Sequence, residues 1–194
     1  MIEIEKIPPA VPGAERRLFF TRVREALFGR VLLQPQVDGI EAILDYWRAN
    51  YPGGDRRWLA YILATAHHET DRTMQPIEEY DKGGARLYAQ RDPETGCAYY
   101  GRGFVQLTWR KNYRLAGDKL GIDLEHQPEL ACELGHAAAI LVRGMVEGWF
   151  TGARLDWYLT DTKHDWYNAR RIVNGLDRAN LVTGYAKNYF EALG

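Results

Sequence analysis

A carboxylate ends the apolar face of one short segment of the sequence. Residues that share this face recur every three or four positions: Trp58, Ile62, Thr65 or Ala66, and Glu69. On a helix, partial desolvation at this face would favour the protonated carboxyl that a general acid needs near neutral pH. The alternative is a Glu at a helix end that points into water, and the spacing alone leaves both interpretations open.

Acid–base hydrolysis needs a second carboxylate, and the sequence offers two. Glu78 and Glu79 follow Glu69 by nine and ten residues, which is far enough for the chain to cross a groove and return. In an inverting glycosidase the two carboxyl groups stand roughly 6.5–9.5 Å apart, with room for a water molecule. The sequence permits that separation without choosing between Glu78 and Glu79.

The two histidines before Glu69 suggest a zinc site, which the spacing excludes. The His-Glu-x-x-His motif needs a second histidine at position 72, where the sequence has Arg72. His67 and His68 are adjacent, so on a helix their imidazoles point about 100° apart and do not chelate one ion together. We therefore expect chemistry without a metal or a cofactor.

The segment at 99–109 combines glycine with polar side chains. Gly101 and Gly103 suit a close backbone approach or a positive φ. Gln106 and Thr108 alternate with apolar residues, so on an extended segment both would face the same side. There they would hold a water or a sugar N-acetyl group. The alternative is a buried hydrogen-bonded pair that fixes a turn.

The elements around these residues are mainly helical. Helical spacing and helix-ending residues predict helices over 38–50, 55–70, 108–120, 129–150, 165–173 and 178–192. Residues 71–107 are rich in Gly and Pro, and a compact domain keeps so long a connection mainly for function. The predicted fold class is mainly α, with a long loop or small hairpin beside a cleft.

Composition limits the class of protein. The chain has 194 residues, 46% of them hydrophobic, and a formal net charge of −1, which excludes intrinsic disorder and a global attraction to nucleic acid or an anionic membrane. No apolar run reaches roughly 18 residues, so we expect no nucleic-acid partner and no stable membrane insertion. We expect a single catalytic domain over 1–194 with an irregular lead-in at 1–13, and free thiols at Cys97 and Cys132.

Two local features of the composition remain. Aromatic residues make up 12% of the chain; we assign Tyr99, Tyr100 and Trp109 to a sugar-stacking cleft, and Trp47 and Trp58 to helix packing. Residues 15–30 carry a local charge of +3. This segment is either a solvated helix face or a surface that attracts an anionic polymer such as a bacterial wall.

At these motifs the sequence resembles glycoside hydrolase family 19, the plant-type chitinase family, and especially its small phage-encoded endolysins. The resemblance covers about 38–194 and rests on AHHET at 66–70, MQPIEE at 74–79, YYGRGFVQLTWRKNY at 99–113, LGIDL at 120–124 with Pro128, and RIVNG at 171–175. It implies a lysozyme-like fold with two helical lobes around the active-site groove.

The resemblance also implies roles for individual residues. Glu69 would be the general acid and Glu79 the general base, with Glu78 as the adjacent candidate because the alignment can slip. Residues implied to line the site and bind substrate are His68, which would also support Glu69, Tyr100, Gln106, Thr108, Asn112, Arg171 and Asn174.

The implied function is inverting hydrolysis of β-1,4 bonds in the N-acetylated glycan of bacterial peptidoglycan, by a phage or prophage endolysin. The alternatives are a chitinase that acts on chitin with the same residues, and a catalytically inactive virion module that binds glycan. Residues 1–12 are acidic where a secretory signal is basic. We therefore expect a protein made in the bacterial host cytoplasm, which reaches the wall in the periplasm by holin-dependent release or as a virion component. A monomer is the default expectation for such a hydrolase.

Overall fold

The computed structural model describes residues 13–194. In that part of the chain the helices are α1 (Gly13–Leu27), α2 (Gln34–Asn50), α3 (Arg56–Glu69), α4 (Arg110–Leu120), α5 (Leu134–Glu147) and α6 (Ala179–Leu193). Two short strands, β1 (Ile77–Glu78) and β2 (Arg102–Gly103), pair antiparallel, with Glu78 opposite Arg102. The prediction of a mainly helical fold with a small hairpin is confirmed.

Helix α3 is the central helix. Every residue from Leu59 to His67 is buried, which is the pattern of a helix inside a core rather than at its surface. Asp55 caps the N-terminus, because its carboxylate accepts a hydrogen bond of 2.8 Å from the backbone N–H of Arg57. Helix α3 packs mainly against α6, and α2 packs against α5. Glu69 is therefore the last residue of a helix that the core holds firmly.

Three predicted helices differ from the observed ones. Helix α2 begins at Gln34 rather than near Asp38, because Pro35 fits the first turn of a helix. Helix α5 is shorter than the predicted 129–150, because Pro128–Cys132 form a separate 3-10 turn and Gly148, at φ +79°, ends the helix. The predicted helix at 165–173 is wrong: only the 3-10 turn Asn168–Ile172 forms there, since so short a segment gains few helical hydrogen bonds.

Helix α1 carries the local charge of the N-terminal region. The lead-in predicted at 1–13 lies outside the described residues except for Gly13, where α1 begins. Arg16 forms an ion pair with Glu41 of α2, and Arg22 donates a hydrogen bond of 3.3 Å to the carbonyl oxygen of Glu191 in α6. Part of the positive charge is therefore used between helices, which supports the helix-face interpretation.

The predicted packing roles of Trp47 and Trp58 are confirmed. Trp47 is buried, and Nε1 of Trp58 donates a hydrogen bond of 2.8 Å to the carbonyl oxygen of Leu159. Tyr99, however, is buried in the core, so its assignment to the cleft is wrong.

Two further expectations concern the cysteines and membrane-spanning helices. Cys97 and Cys132 are both free, as predicted, and both are half-buried. Between residues 13 and 194 no helix combines the length and the hydropathy needed to cross a bilayer.

Candidate active site

Glu69 lies beside a buried arginine at the end of α3. Its side chain is 15% exposed, and its Oε1 accepts a hydrogen bond of 2.7 Å from Nη1 of Arg170. Arg170 belongs to the 3-10 turn Asn168–Ile172, is 3% exposed, and donates through Nε to the carbonyl oxygen of Asp177 at 3.1 Å. The carboxylate therefore has a fixed orientation, with one oxygen committed to the guanidinium.

The residues on either side of Glu69 reinforce this orientation. His68 is half-buried, and burial lowers its pKa although the neighbouring Glu69 opposes that effect, so a neutral imidazole stands beside the carboxylate. Thr70 is buried, donates a hydrogen bond of 2.7 Å to the carbonyl oxygen of Ala66, and accepts one of 3.1 Å from the backbone N–H of Met74. The chain after Glu69 is thus tied back to α3.

Glu79 follows β1 and is bonded to the chain beside β2. Its backbone N–H donates to the carbonyl oxygen of Gly101 at 2.6 Å, and its Oε2 accepts from the backbone N–H of the same residue at 3.0 Å. Its Oε1 accepts from the hydroxyl of Tyr88 at 2.8 Å and from Nη1 of Arg86 at 3.0 Å. Three donors on three residues therefore hold this carboxylate.

Glu78 has a different set of partners. Successive side chains of a strand point to opposite faces, and Oε1 of Glu78 accepts from the hydroxyl of Tyr100 at 2.7 Å and from Nε of Arg102 at 3.3 Å. The Tyr100 hydrogen bond holds the pKa of Glu78 below its ordinary value, and Arg102 acts in the same direction. Arg102 is 5% exposed, so Glu78 serves as the counter-ion of a buried guanidinium.

Gln106 lies in a turn and, like Glu79, borders Gly101. Of the two alternatives, an extended segment and a turn, the structure has the turn, which spans residues 104–106 and in which Gln106 has φ +53°. Its Nε2 donates to the carbonyl oxygen of Ile77 at 3.0 Å. A Cβ on Gly101 would stand 2.7 Å from Oε1 of Gln106 and 3.2 Å from Cβ of Glu79. The predicted close approach at Gly101 is confirmed, and the predicted positive φ is found at Gly103, at +81°.

The other predicted binding residues of this region lie nearby in the chain. Thr108 is half-buried, and its carbonyl oxygen accepts a hydrogen bond of 2.8 Å from Nδ2 of Asn112. Trp109 is 45% exposed and keeps an accessible ring. Tyr100 is buried, and the guanidinium of Arg102 covers its ring at 3.6 Å from the centroid. Of the aromatic residues assigned to the cleft, Trp109 is the one with an open surface.

Two predicted residues lie close to Arg170 in the chain: Arg171 within the same 3-10 turn and Asn174 just after it. Arg171 is exposed, and its Nε donates to Oδ1 of Asn168 at 3.3 Å. Asn174 is also exposed, and its Oδ1 accepts from the backbone N–H of Gly175 at 2.8 Å. Neither side chain contacts Glu69, so their binding roles stay predictions.

The structure thus brings the site residues into two groups. One group contains Glu69, His68 and Arg170; the other contains Glu79 and Gln106. Among the described residues no hydrogen bond or ion pair joins Glu69 to Glu78 or to Glu79. The two carboxylates are therefore held by separate sets of partners.

Sequence reasoning missed three residues that hold these carboxylates. It selected Arg171 from the pair at 170–171, whereas Arg170 is the one that reaches Glu69. Arg86 and Tyr88 lie in the long connection, where no periodicity marks them. The only available signal was the length of that connection, which itself predicted function.

Comparisons with known proteins identify relatives of this chain. Residues 60–153 match the glycoside hydrolase 19 family model, described as chitinase class I. The chain is 32% identical over 152 residues to an endochitinase of Arabidopsis thaliana, covering 72% of this chain and 53% of the relative. It is 39% identical over 98 residues to chitinase 11 of Oryza sativa subsp. japonica, covering 47% and 37%. The chain thus spans about half or less of the length of these two relatives.

Solved structures share the fold. Chitinase C from Streptomyces griseus HUT6037 superposes with a TM-score of 0.63 at 22% identity, over 96% of this chain and 79% of that one. A class IV chitinase from Zea mays superposes with a TM-score of 0.54 at 18% identity, over 92% and 90%. At these identities the likeness is one of fold, and it agrees with the lysozyme-like prediction.

Proposed function

Because the chain belongs to glycoside hydrolase family 19, we propose that it is an inverting glycosidase of β-1,4-linked N-acetylated glycans. One observation supports this proposal above the others: two carboxylates on separate elements, Glu69 and Glu79, are each oriented by their own donors. A module that only binds glycan needs no such pair. A catalytically inactive virion module is therefore the less favoured function.

The proposed reaction uses the two carboxyl groups together in a single displacement. Glu69 gives its proton to the glycosidic oxygen as the bond from that oxygen to C1 breaks. In this proposal Oε2 is the atom that donates the proton, because Oε1 accepts a hydrogen bond from Arg170. A water attacks C1 from the opposite face and loses a proton to Glu79, so the new reducing end has inverted configuration. Exchange with solvent then restores both carboxyl groups.

The neighbouring polar groups would position substrate and water. Oε1 of Gln106 lies near Glu79 and has a lone pair for the attacking water or for an N-acetyl N–H. The exposed ring of Trp109 would pack on a sugar. Binding roles for His68, Tyr100, Thr108, Asn112, Arg171 and Asn174 remain part of this proposal.

We propose peptidoglycan as the substrate, as the resemblance of the sequence to phage-encoded endolysins implies. In this proposal the enzyme is a monomer that acts on the bacterial cell wall, after holin-dependent release or as part of a virion. Chitin is the second candidate, and the relatives named chitinases favour it. Both polymers carry β-1,4-linked N-acetylated sugars, so the same residues would serve on either one.

Mass spectrometry of digestion products tests the proposal and separates the substrates. The purified protein is incubated with peptidoglycan sacculi and with chitin hexasaccharide, and Glu69→Gln serves as the control. We expect muropeptides with a new reducing N-acetylated sugar, and none from the control. Cleavage of the hexasaccharide alone would establish the chitinase alternative. Peptide fragments, or no cleavage of either polymer, would contradict the proposed function.

A further inference from the structure

The chain turns sharply after Glu79 and comes back over it. Four successive residues, Asp81 to Gly84, have positive φ values of 56°, 47°, 78° and 55°. For residues with a side chain this backbone region costs roughly 1–2 kcal/mol each, so contacts made by the returning segment must offset the cost. That segment contains the 3-10 turn Leu87–Ala89 and ends over the carboxylate of Glu79.

Arg86, Tyr88 and Oε1 of Glu79 are joined pairwise by three hydrogen bonds. Nη1 of Arg86 donates to Oε1 of Glu79 at 3.0 Å and to the hydroxyl oxygen of Tyr88 at 2.5 Å. The hydroxyl of Tyr88 in turn donates to the same Oε1 at 2.8 Å. The backbone N–H of Gly101 donates to Oε2 at 3.0 Å. A carboxylate accepts about four hydrogen bonds, two on each oxygen.

The carboxylate of Glu79 has one acceptor position without a donor among the described residues. Oε1 has two donors and Oε2 has one, among the residues that the structure describes. We propose that Arg86 and Tyr88 are positioning residues that fix Glu79 so that Oε2 is the atom that takes the proton of the attacking water. This inference rests on the proposed function, since Glu79 needs such positioning only as a base.

Tyr88 is itself held in place through its ring and through its backbone. Its ring meets the ring of Trp109 edge to face, with centroids 5.4 Å apart, and its carbonyl oxygen accepts from the backbone N–H of Tyr99 at 2.9 Å. Burial raises the pKa of Tyr88, so its hydroxyl remains a donor. Gly83 makes the approach possible, because a Cβ there would stand 2.9 Å from the Tyr88 ring and 3.2 Å from Oε2 of Glu79.

The test is Tyr88→Phe, which removes one hydroxyl and keeps the ring. We expect kcat to fall by about 10- to 100-fold while KM stays near the wild-type value, because a misplaced catalytic group loses rate rather than binding. Tyr80→Phe is the matched control, since Tyr80 is exposed and does not contact the Glu79 carboxylate. In the Glu79→Gln background, Tyr88→Phe should cost nothing further.

A second measurement is independent of turnover. The amide proton of Gly101 reports on the hydrogen bond to Oε2 of Glu79. In Tyr88→Phe, we expect this resonance to move upfield and its hydrogen-exchange protection to fall, whereas Tyr80→Phe leaves both unchanged. An unchanged Gly101 amide in Tyr88→Phe would overturn the inference even if the protein hydrolysed no glycan.

The two possible failures are distinguishable. An inactive wild-type enzyme, or a fully active Glu69→Gln variant, would refute the proposed function. An active wild-type enzyme with an inactive Glu79→Gln variant and a fully active Tyr88→Phe variant would refute the positioning role alone. A fully active Glu79→Gln variant would refute the base assignment and the positioning role together, while leaving the role of Glu69 intact.

Discussion

Replacing Glu78 and Glu79 separately by Gln distinguishes a structural carboxylate from a catalytic one. The two residues are adjacent and receive the same substitution, so each variant is the control for the other. Glu78 accepts hydrogen bonds from Tyr100 and from the buried Arg102, whereas Glu79 is oriented by Arg86, Tyr88 and Gly101 beside Gln106. We therefore expect Glu79→Gln to lose activity and Glu78→Gln to lose stability.

The structure sets the size of each effect. Loss of a general base lowers the rate by about 10²- to 10⁴-fold, or about 3 to 5 kcal/mol of transition-state stabilisation. The Glu78 side chain is 41% exposed, so solvent screening limits the free energy of unfolding lost in Glu78→Gln to about 1 kcal/mol. An amide still accepts from Arg102, so the site keeps its shape and the variant keeps most of its activity.

The contribution of Glu78 also depends on pH. Its pKa is lowered in the folded state, chiefly by the Tyr100 hydrogen bond. The stabilisation it provides is therefore present above the unfolded-state pKa and is lost as the pH falls through the folded-state value. At a pH well below that value, Glu78→Gln and the wild type should differ less in stability than they do at pH 7.

Urea unfolding followed by tryptophan fluorescence measures the stability, and initial rates on peptidoglycan and chitin hexasaccharide measure the activity. The reverse result, an inactive Glu78→Gln and an active Glu79→Gln, would identify Glu78 as the base. Loss of activity in both variants without loss of folding would show that the distinction drawn from the hydrogen-bond partners does not hold.

Two further predictions follow from buried charges. Arg170→Gln should lower the free energy of unfolding by about 3 kcal/mol, because it leaves Glu69 without its buried counter-ion. Urea unfolding of both single variants and the double variant with Glu69→Gln measures the coupling, and strictly additive effects would contradict the prediction. His67 is fully buried, and burial lowers its pKa from 6.5 to about 4. As the pH falls, His67 therefore binds a proton in the unfolded chain before it does so in the folded one. The wild type should lose about 3 kcal/mol of its free energy of unfolding between a pH above 6.5 and a pH of about 4. His67→Gln should lose this pH dependence in urea titrations, while the exposed control His126→Gln should keep it.

The sequence predicted the positions that follow a regular period. Helix α3 was expected over 55–70 and occupies Arg56–Glu69, because Asp55 is a good N-cap and the apolar positions recur with helical spacing. The placement of Glu69 at the end of a buried helix follows from the same pattern. At Gln106 the alternation left both an extended segment and a turn open, and the structure has a turn with positive φ.

The partners of the two carboxylates depend on tertiary structure, which no local pattern encodes. Arg170 and Arg171 are adjacent in the sequence, yet one is buried against Glu69 and the other is exposed. Their difference arises from how the 3-10 turn packs. Arg86 and Tyr88 reach Glu79 only because the chain folds back through four residues of positive φ. All four lie in the connection at 71–107, where no periodicity predicts their conformation.

Proton NMR of the first product formed tests the central claim most directly. The wild-type enzyme and Glu69→Gln are followed during the first minutes of hydrolysis of whichever glycan is cleaved, before the new reducing end equilibrates. An inverting mechanism with Glu69 as acid predicts the α-anomer from a β-linked substrate, and no product from Glu69→Gln. A β-anomer from the wild type, or product from Glu69→Gln at the wild-type rate, would contradict the account.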